Sequence, residues 1–276
     1  SSEADTENLL VQLAMENSAK TGKPIDRRAI DNVAKEIQQG VDTKGARRVY
    51  DSPSKGVLWG WEVPVYVWTK AIATGTFLMM AVWNILNSNL DATSEMTGLI
   101  TTLVFMGLTA GLLIKDIDRP DRFHYVLLRP QWKSWLVRGA YIITGFSGLV
   151  SLKLLDNYLQ LGLDWLWIPG MIFAGLGAVY TAFLFNQARA RDLWQTPIQS
   201  AIHMLVHAFI SGSVVMIIIA PETAEWMTSA LLWGVVFNMV IIAKEILIPH
   251  DTPDTRKAIH LMTKGYYSKY FWAGII

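Results

Sequence analysis

The sequence predicts an all-α integral membrane protein in which a soluble N-terminal arm precedes two parallel four-helix bundles, the second incomplete. Three observations predict it. Hydrophobic residues make up 52% of the 276 and charged residues only 17%, the apolar residues fall into runs long enough to cross a bilayer, and two of these runs repeat two others in register. A mean hydropathy of +0.29 is too high for an ordinary soluble domain. The formal net charge of +1 offers nucleic acid no general attraction. Cysteine is absent, which excludes disulfides, a Cys-ligated iron–sulfur cluster, thioether-attached haem and a catalytic thiol.

Residues 1–57 contain no secretory h-region and mix acids with Lys20, Lys23, Arg27, Arg28, Lys35, Arg47 and Arg48. They read as a soluble arm. Leu9, Leu10 and Leu13, and then Ile30, Val33 and Ile37, fall at helical spacing, so two weak amphipathic helices are expected to lie on a partner or on the headgroup surface, the alternative being a partly disordered tail. A span needs about 20 mostly apolar residues to cross roughly 30 Å of hydrocarbon. Six such runs are expected at 63–87, 97–117, 134–155, 165–187, 198–220 and 226–248, and a seventh starts at Tyr270. Because the sequence stops at Ile276 inside that run, the seventh span is expected to continue beyond it. The domain division is an arm at 1–57, a first bundle at 58–187 and an incomplete second bundle at 188–276.

Charge is distributed unevenly between the two sides. Of the 24 Lys and Arg, only Lys153 is expected in a link after an odd-numbered span, whereas those links carry Asp91, Glu95, Asp156, Asp164, Glu222 and Glu225. By the positive-inside rule, the arm and the basic links face the cytoplasm of a bacterial inner membrane. A basic surface of this kind also suits the docking of a partner subunit. Trp59, Trp61, Trp68, Trp132, Trp135, Trp165, Trp167, Trp194, Trp226 and Trp272 cluster near expected span ends, as interfacial anchors do.

The repeat appears when span five is set under span one without gaps. Lys70-Ala-Ile-Ala-Thr74-Gly75-Thr76 lies over His207-Ala-Phe-Ile-Ser211-Gly212-Ser213. Span six lies under span two in the same way: Lys115-Asp116 followed by Pro120 matches Lys244-Glu245 followed by Pro249. Ser134 beside Trp135 opens the third helix as Ser268 precedes Phe271 and Trp272. Four spans separate the copies, an even number, so the two bundles run parallel.

Ionisable groups within spans are costly, and each is a functional candidate. These are Lys70, Asp116, Asp118, His203, His207, Lys244 and Glu245, aided by Asn84, Tyr180, Asn186 and Asn238. Most are expected near the basic face, with Lys70 starting span one and Asp116 and Glu245 ending spans two and six; the acidic face offers fewer. Snorkelling with mutual neutralisation is the structural alternative for the Lys–acid pairs. His203 and His207 stand i, i+4 on one face, a spacing that could ligate one metal, whereas haem b requires histidines on two facing helices; the plain reading is a satisfied or proton-relaying pair.

The link after span two is the most distinctive stretch. It carries Asp116-x-x-Arg119-Pro120-x-Arg122-Phe123, then Pro130 and Ser134. With Tyr180-Thr181, Leu193-Trp194, Pro197, Ser211-x-Ser213 and the late Gly265, Ser268 and Phe271-Trp272, it resembles the NrfD-type membrane subunits of polysulfide reductase and its relatives, including those of alternative complex III. The resemblance covers about residues 60–276. It implies two four-helix bundles, no haem or iron–sulfur cluster in this chain, and a quinone site in the first bundle facing an iron–sulfur subunit. Asp116, Arg119 and Arg122 fall on the family loop, and Tyr180 falls on a fourth-helix tyrosine associated with quinone contact. Lys70 and the long arm depart from the family pattern.

The expected function is that of a membrane subunit of a respiratory oxidoreductase without its own redox cofactor. It binds menaquinone or ubiquinone and exchanges electrons with a separate iron–sulfur subunit, in a complex with a further catalytic or cytochrome subunit. Asp116, His203, His207 and Glu245 would handle protons, Lys70, Asp116 and Tyr180 would contact the quinone, and Arg119 and Arg122 would dock the partner. A secondary transporter built from parallel repeats and a passive anchor are the alternatives.

Overall fold

A computed structural model of the chain describes residues 60–276 apart from 88–89, 117–122, 188–196, 248–252 and 276. The arm and its two expected helices lie outside the described residues, as do Asp118, Arg119, Pro120, Arg122 and Pro249. Regular structure among the described residues is helical: α1 (Glu62–Leu86), α2 (Ala92–Asp116), α3 (Phe123–Leu128), α4 (Trp135–Leu159), α5 (Trp167–Gln187), α6 (Pro197–Ile219), α7 (Ala224–Leu247), α8 (Pro253–Thr263) and α9 (Ser268–Ile275). Six helical segments are long and apolar enough to cross a membrane, and they coincide with the six expected runs. The chain is a multi-pass α-helical membrane protein.

The boundaries differ from expectation where polar residues begin or end a helix. α2 starts at Ala92 because the Asp91 carboxylate accepts from the N–H groups of Thr93 (3.1 Å) and Ser94 (3.4 Å), capping a polar first turn that hydropathy alone excludes. α4 runs on to Leu159 through Lys153 and Asp156, whose charges are paired, and stops where Gln160 adopts a left-handed conformation at φ 55°. The short α3 and the amphipathic α8 fall in stretches read as links; Pro253 opens α8, where its missing N–H costs nothing.

α1 is the central helix. It packs against α2, α5 and α6, and every residue from Thr69 to Ala81 is buried, as befits a helix apolar all round. α7 lies at the periphery and buries only Met227 and Ile241. α1 and α2 run antiparallel in a register pinned at three depths: Glu62 pairs with Lys115 (3.2 Å), Thr69 hydrogen-bonds Thr109 (2.8 Å), and Gly98 makes room for the sulfur of Met80. Between Thr109 and the far end aromatic rings pack in the core, with the Phe77 ring 5.3 Å from that of Phe146 and 5.2 Å from that of Trp167.

Where α1 crosses α6 the two backbones touch. A Cβ on Gly75 would sit 1.9 Å from the carbonyl oxygen of Ala208, and one on Gly212 would sit 2.2 Å from that of Gly75. Only glycine permits this approach, the usual device of close helix crossings in lipid. The sequence repeat sets these same two glycines in register.

Candidate functional site

Lys70 lies eight residues into α1, about 12 Å from its start, rather than at the beginning of the span. Its side chain crosses to α5, where Nζ donates to the carbonyl of Ala178 (3.0 Å) and to the hydroxyl of Thr181. Nζ also stands 4.8 Å from the centroid of the Tyr180 ring, a cation–π distance. No carboxylate pairs with Lys70 among the described residues. Dipoles and a π face therefore stand where a counter-ion would be expected, and an ionisable group held in a span at that cost is a functional candidate. Tyr180 is buried; Gly139 makes room for its ring, Tyr66 stands close by, and its hydroxyl has no hydrogen-bond partner among the described residues.

The structure thus brings Lys70 and Tyr180 together and places Asp116 at the exposed end of α2. The Thr69–Thr109 hydrogen bond fixes the Lys70 layer seven residues, about 10 Å, below Asp116. Lys115, read as part of a Lys–acid pair with Asp116, pairs with Glu62 and lies 4.4 Å over the Trp61 ring. Lys244 and Asn186 are exposed, and Asn84 accepts from the N–H of Leu90 (2.8 Å), which ties the α1–α2 link.

A cavity of about 730 Å³ opens beside this layer, walled by α1, α6, α7, α8 and α9. Its volume suits a small-molecule ligand. His203 and His207 line it with their Nε2 atoms 3.0 Å apart, and Glu245 lines it as well. Asn238 and Glu245, both on α7, face His203. Two Nε2 atoms at hydrogen-bonding distance require one to carry a proton and the other to accept it. The donor ring then keeps an unprotonated Nδ1, so the pair can take up one further proton there while its Nε2–H still donates to the other ring. Gln199, Ser200 and Ser211 add polar atoms, while Val63, Val67, Ile242 and Phe271 supply apolar wall. No third ligand joins the histidines to make a metal-binding group among the described residues. Met204 joins the two regions: it lines the cavity and its sulfur accepts from the Thr181 hydroxyl (3.0 Å), the same hydroxyl that Lys70 reaches.

A family model described as polysulphide reductase, NrfD, matches residues 51–276. The chain belongs to the NrfD family. The match spans all six membrane helices, the Lys70 layer and the cavity. The family supplies membrane subunits to polysulphide reductase-like complexes, interacts with quinone in general, and partners with iron–sulfur subunits. No curated protein matches the chain.

At the opposite end of the first four spans of this NrfD chain stands a charged group that the sequence reading assigned to links. Lys153, 2% exposed, lies inside α4, and its Nζ is 2.7 Å from Asp156, 3.0 Å from Asp164 and 3.7 Å from Glu95. It also lies 5.0 Å over the Trp167 ring. Asp156 accepts in addition from the N–H of Leu163 (2.9 Å), and Asn157 donates to the carbonyl of Ala92 (3.5 Å). One cation thus gathers carboxylates from α2, α4 and the start of the fourth span. The signal was present in the sequence: Lys153 is the lone basic residue among links rich in acids.

Proposed function

We propose that this NrfD chain is the quinone-binding membrane subunit of a respiratory oxidoreductase, exchanging electrons with a separate iron–sulfur subunit docked over the Arg119–Arg122 loop, in a complex with a further catalytic or cytochrome subunit. The observation that carries it is the 730 Å³ cavity in which His203, His207 and Glu245 meet among apolar walls. Menaquinone or ubiquinone is its substrate, and its long tail leaves between helices into lipid. Oxidation of a quinol releases two electrons and two protons. The electrons pass to the iron–sulfur subunit; one proton goes to the His203–His207 pair and the other to the Glu245 carboxylate, each a base within reach of a hydroxyl in the cavity. Quinone reduction runs the same steps in reverse.

The Lys70 layer backs this site. Its polar atoms contact the cavity wall through Thr181 and Met204, so Lys70 and Tyr180 place an amine and a hydroxyl without a hydrogen-bond partner among the described residues behind the headgroup. Asp116, at the exposed end of α2, passes protons to the aqueous side. The Gly75–Gly212 contact supports the reading of 58–187 and 188–276 as two parallel bundles, since an axis relating two copies brings paired residues together. The chain resides in a bacterial cytoplasmic membrane with its arm in the cytoplasm.

The test is quinol-dependent reduction of the co-purified iron–sulfur subunit in the assembled complex. His207→Gln, which keeps hydrogen bonding but removes the base, lowers the rate by roughly two orders of magnitude while iron–sulfur content stays at the wild-type level. An unchanged rate in the assembled His203→Gln/His207→Gln double variant overturns the assignment.

A further inference from the structure

A second concave feature lies on the outer face of the first four spans, away from the cavity. α4 packs against α2 and α5, and between α4 and α5 runs a cleft of about 610 Å³. Its floor is apolar, from Ile142, Gly145, Phe173 and Leu176. One end is built quite differently. Arg138, one turn into α4, donates from Nε to the carbonyl of Trp132 (2.7 Å) and lies 4.7 Å over the Trp135 ring. Trp132 packs on Tyr141, ring centroids 4.8 Å apart, and Tyr141 donates to the carbonyl of Leu127 (2.7 Å). Trp135 stacks on Phe183. Aromatic contacts thus hold the guanidinium in place in the first turn of α4, beside Trp132 and Trp135, residues of the kind that anchor span ends at an interface.

No carboxylate pairs with Arg138 among the described residues. A guanidinium with no carboxylate partner among the described residues, beside an apolar cleft, is complementary to an anion that carries a hydrocarbon chain. We infer that this cleft is a binding site for an anionic phospholipid, its phosphate on Arg138 and one acyl chain along Ile142, Gly145, Phe173 and Leu176. Exposed Lys133, two residues before α4, adds a second positive charge on the headgroup side. A quinol fits poorly, because the lining holds no histidine or carboxylate to take its protons: the Tyr141 hydroxyl is committed to Leu127, and the Thr144 hydroxyl donates to the carbonyl of Ala140.

The experiment compares the full chain with Arg138→Gln and Thr144→Trp, each reconstituted in nanodiscs of phosphatidylglycerol in excess phosphatidylcholine, re-extracted in mild detergent and weighed by native mass spectrometry. Thr144 is exposed on the lipid side, so tryptophan there fills the cleft without entering the core. The wild type retains one phosphatidylglycerol in preference to phosphatidylcholine. Arg138→Gln lowers that preference about fivefold, and Thr144→Trp abolishes retention of either lipid. Equal retention of the two lipids by the wild type, a preference unchanged in Arg138→Gln, or retention of quinone in place of phospholipid at this cleft overturns the inference.

Discussion

Lys70 on α1 donates a hydrogen bond to the hydroxyl of Thr181 on α5, and among the described residues no carboxylate pairs with it. Methionine has nearly the volume of lysine and no charge to desolvate. Lys70→Met should therefore leave the complex assembled, with a thermal midpoint equal to or above wild type. Quinol-dependent turnover should fall about tenfold or more, because the polar backing of the cavity is gone. A lower midpoint with full turnover would make Lys70 a structural residue.

Lys153 is the opposite case, since its charge is paired. Removing one member of a buried ion pair leaves the others uncompensated, so Lys153→Met should cost about 3–5 kcal/mol of stability, read as a fall in thermal midpoint in detergent. Adding Glu95→Gln to that variant should recover part of the loss. Asp164, whose side chain is 72% exposed, should matter little: Asp164→Asn changes stability by less than about 1 kcal/mol.

The Gly75–Gly212 crossing predicts a contrast among glycines. Gly75→Ala or Gly212→Ala pushes a methyl into the facing backbone and should destabilise by about 1–3 kcal/mol, or prevent assembly. Gly107→Ala and Gly111→Ala, with open space around the new carbon, should be neutral or slightly stabilising. Thermal unfolding of the four variants side by side distinguishes packing from mere glycine loss.

The helices were legible in the sequence because lipid demands long apolar runs, and the six runs match the six spans. Lys70 and Tyr180 were each legible as polar residues within an apolar span, but their contact was not, because it depends on how α1 packs on α5. Glu95 and Asp156 fell outside the expected spans because a hydropathy window ends a span at charges, whereas pairing with Lys153 lets the helices carry them inside. The cavity could not be read at all. Its shape depends on how α1, α6 and α7 cross, and sequence periodicity gives the face of a helix without giving its neighbour.

Asp116→Asn keeps size and hydrogen bonding but removes the charge and most of the proton affinity. Turnover should fall by roughly two orders of magnitude in a complex that assembles normally. Arg122→Ala should weaken retention of the iron–sulfur subunit as well as turnover, because a loop arginine at an interface contributes to both. The two phenotypes are separated by measuring iron per complex alongside the rate.

The location of the quinone is tested most directly by photolabelling. The assembled complex is irradiated with a tritiated azidoquinone, digested, and the labelled peptides are sequenced. Label should fall on α6 and α7, on peptides carrying His203, His207 and Glu245, and excess unlabelled quinol should suppress it. Quinol-suppressible label confined to peptides of α4 and α5, with none on α6 or α7, would contradict the account.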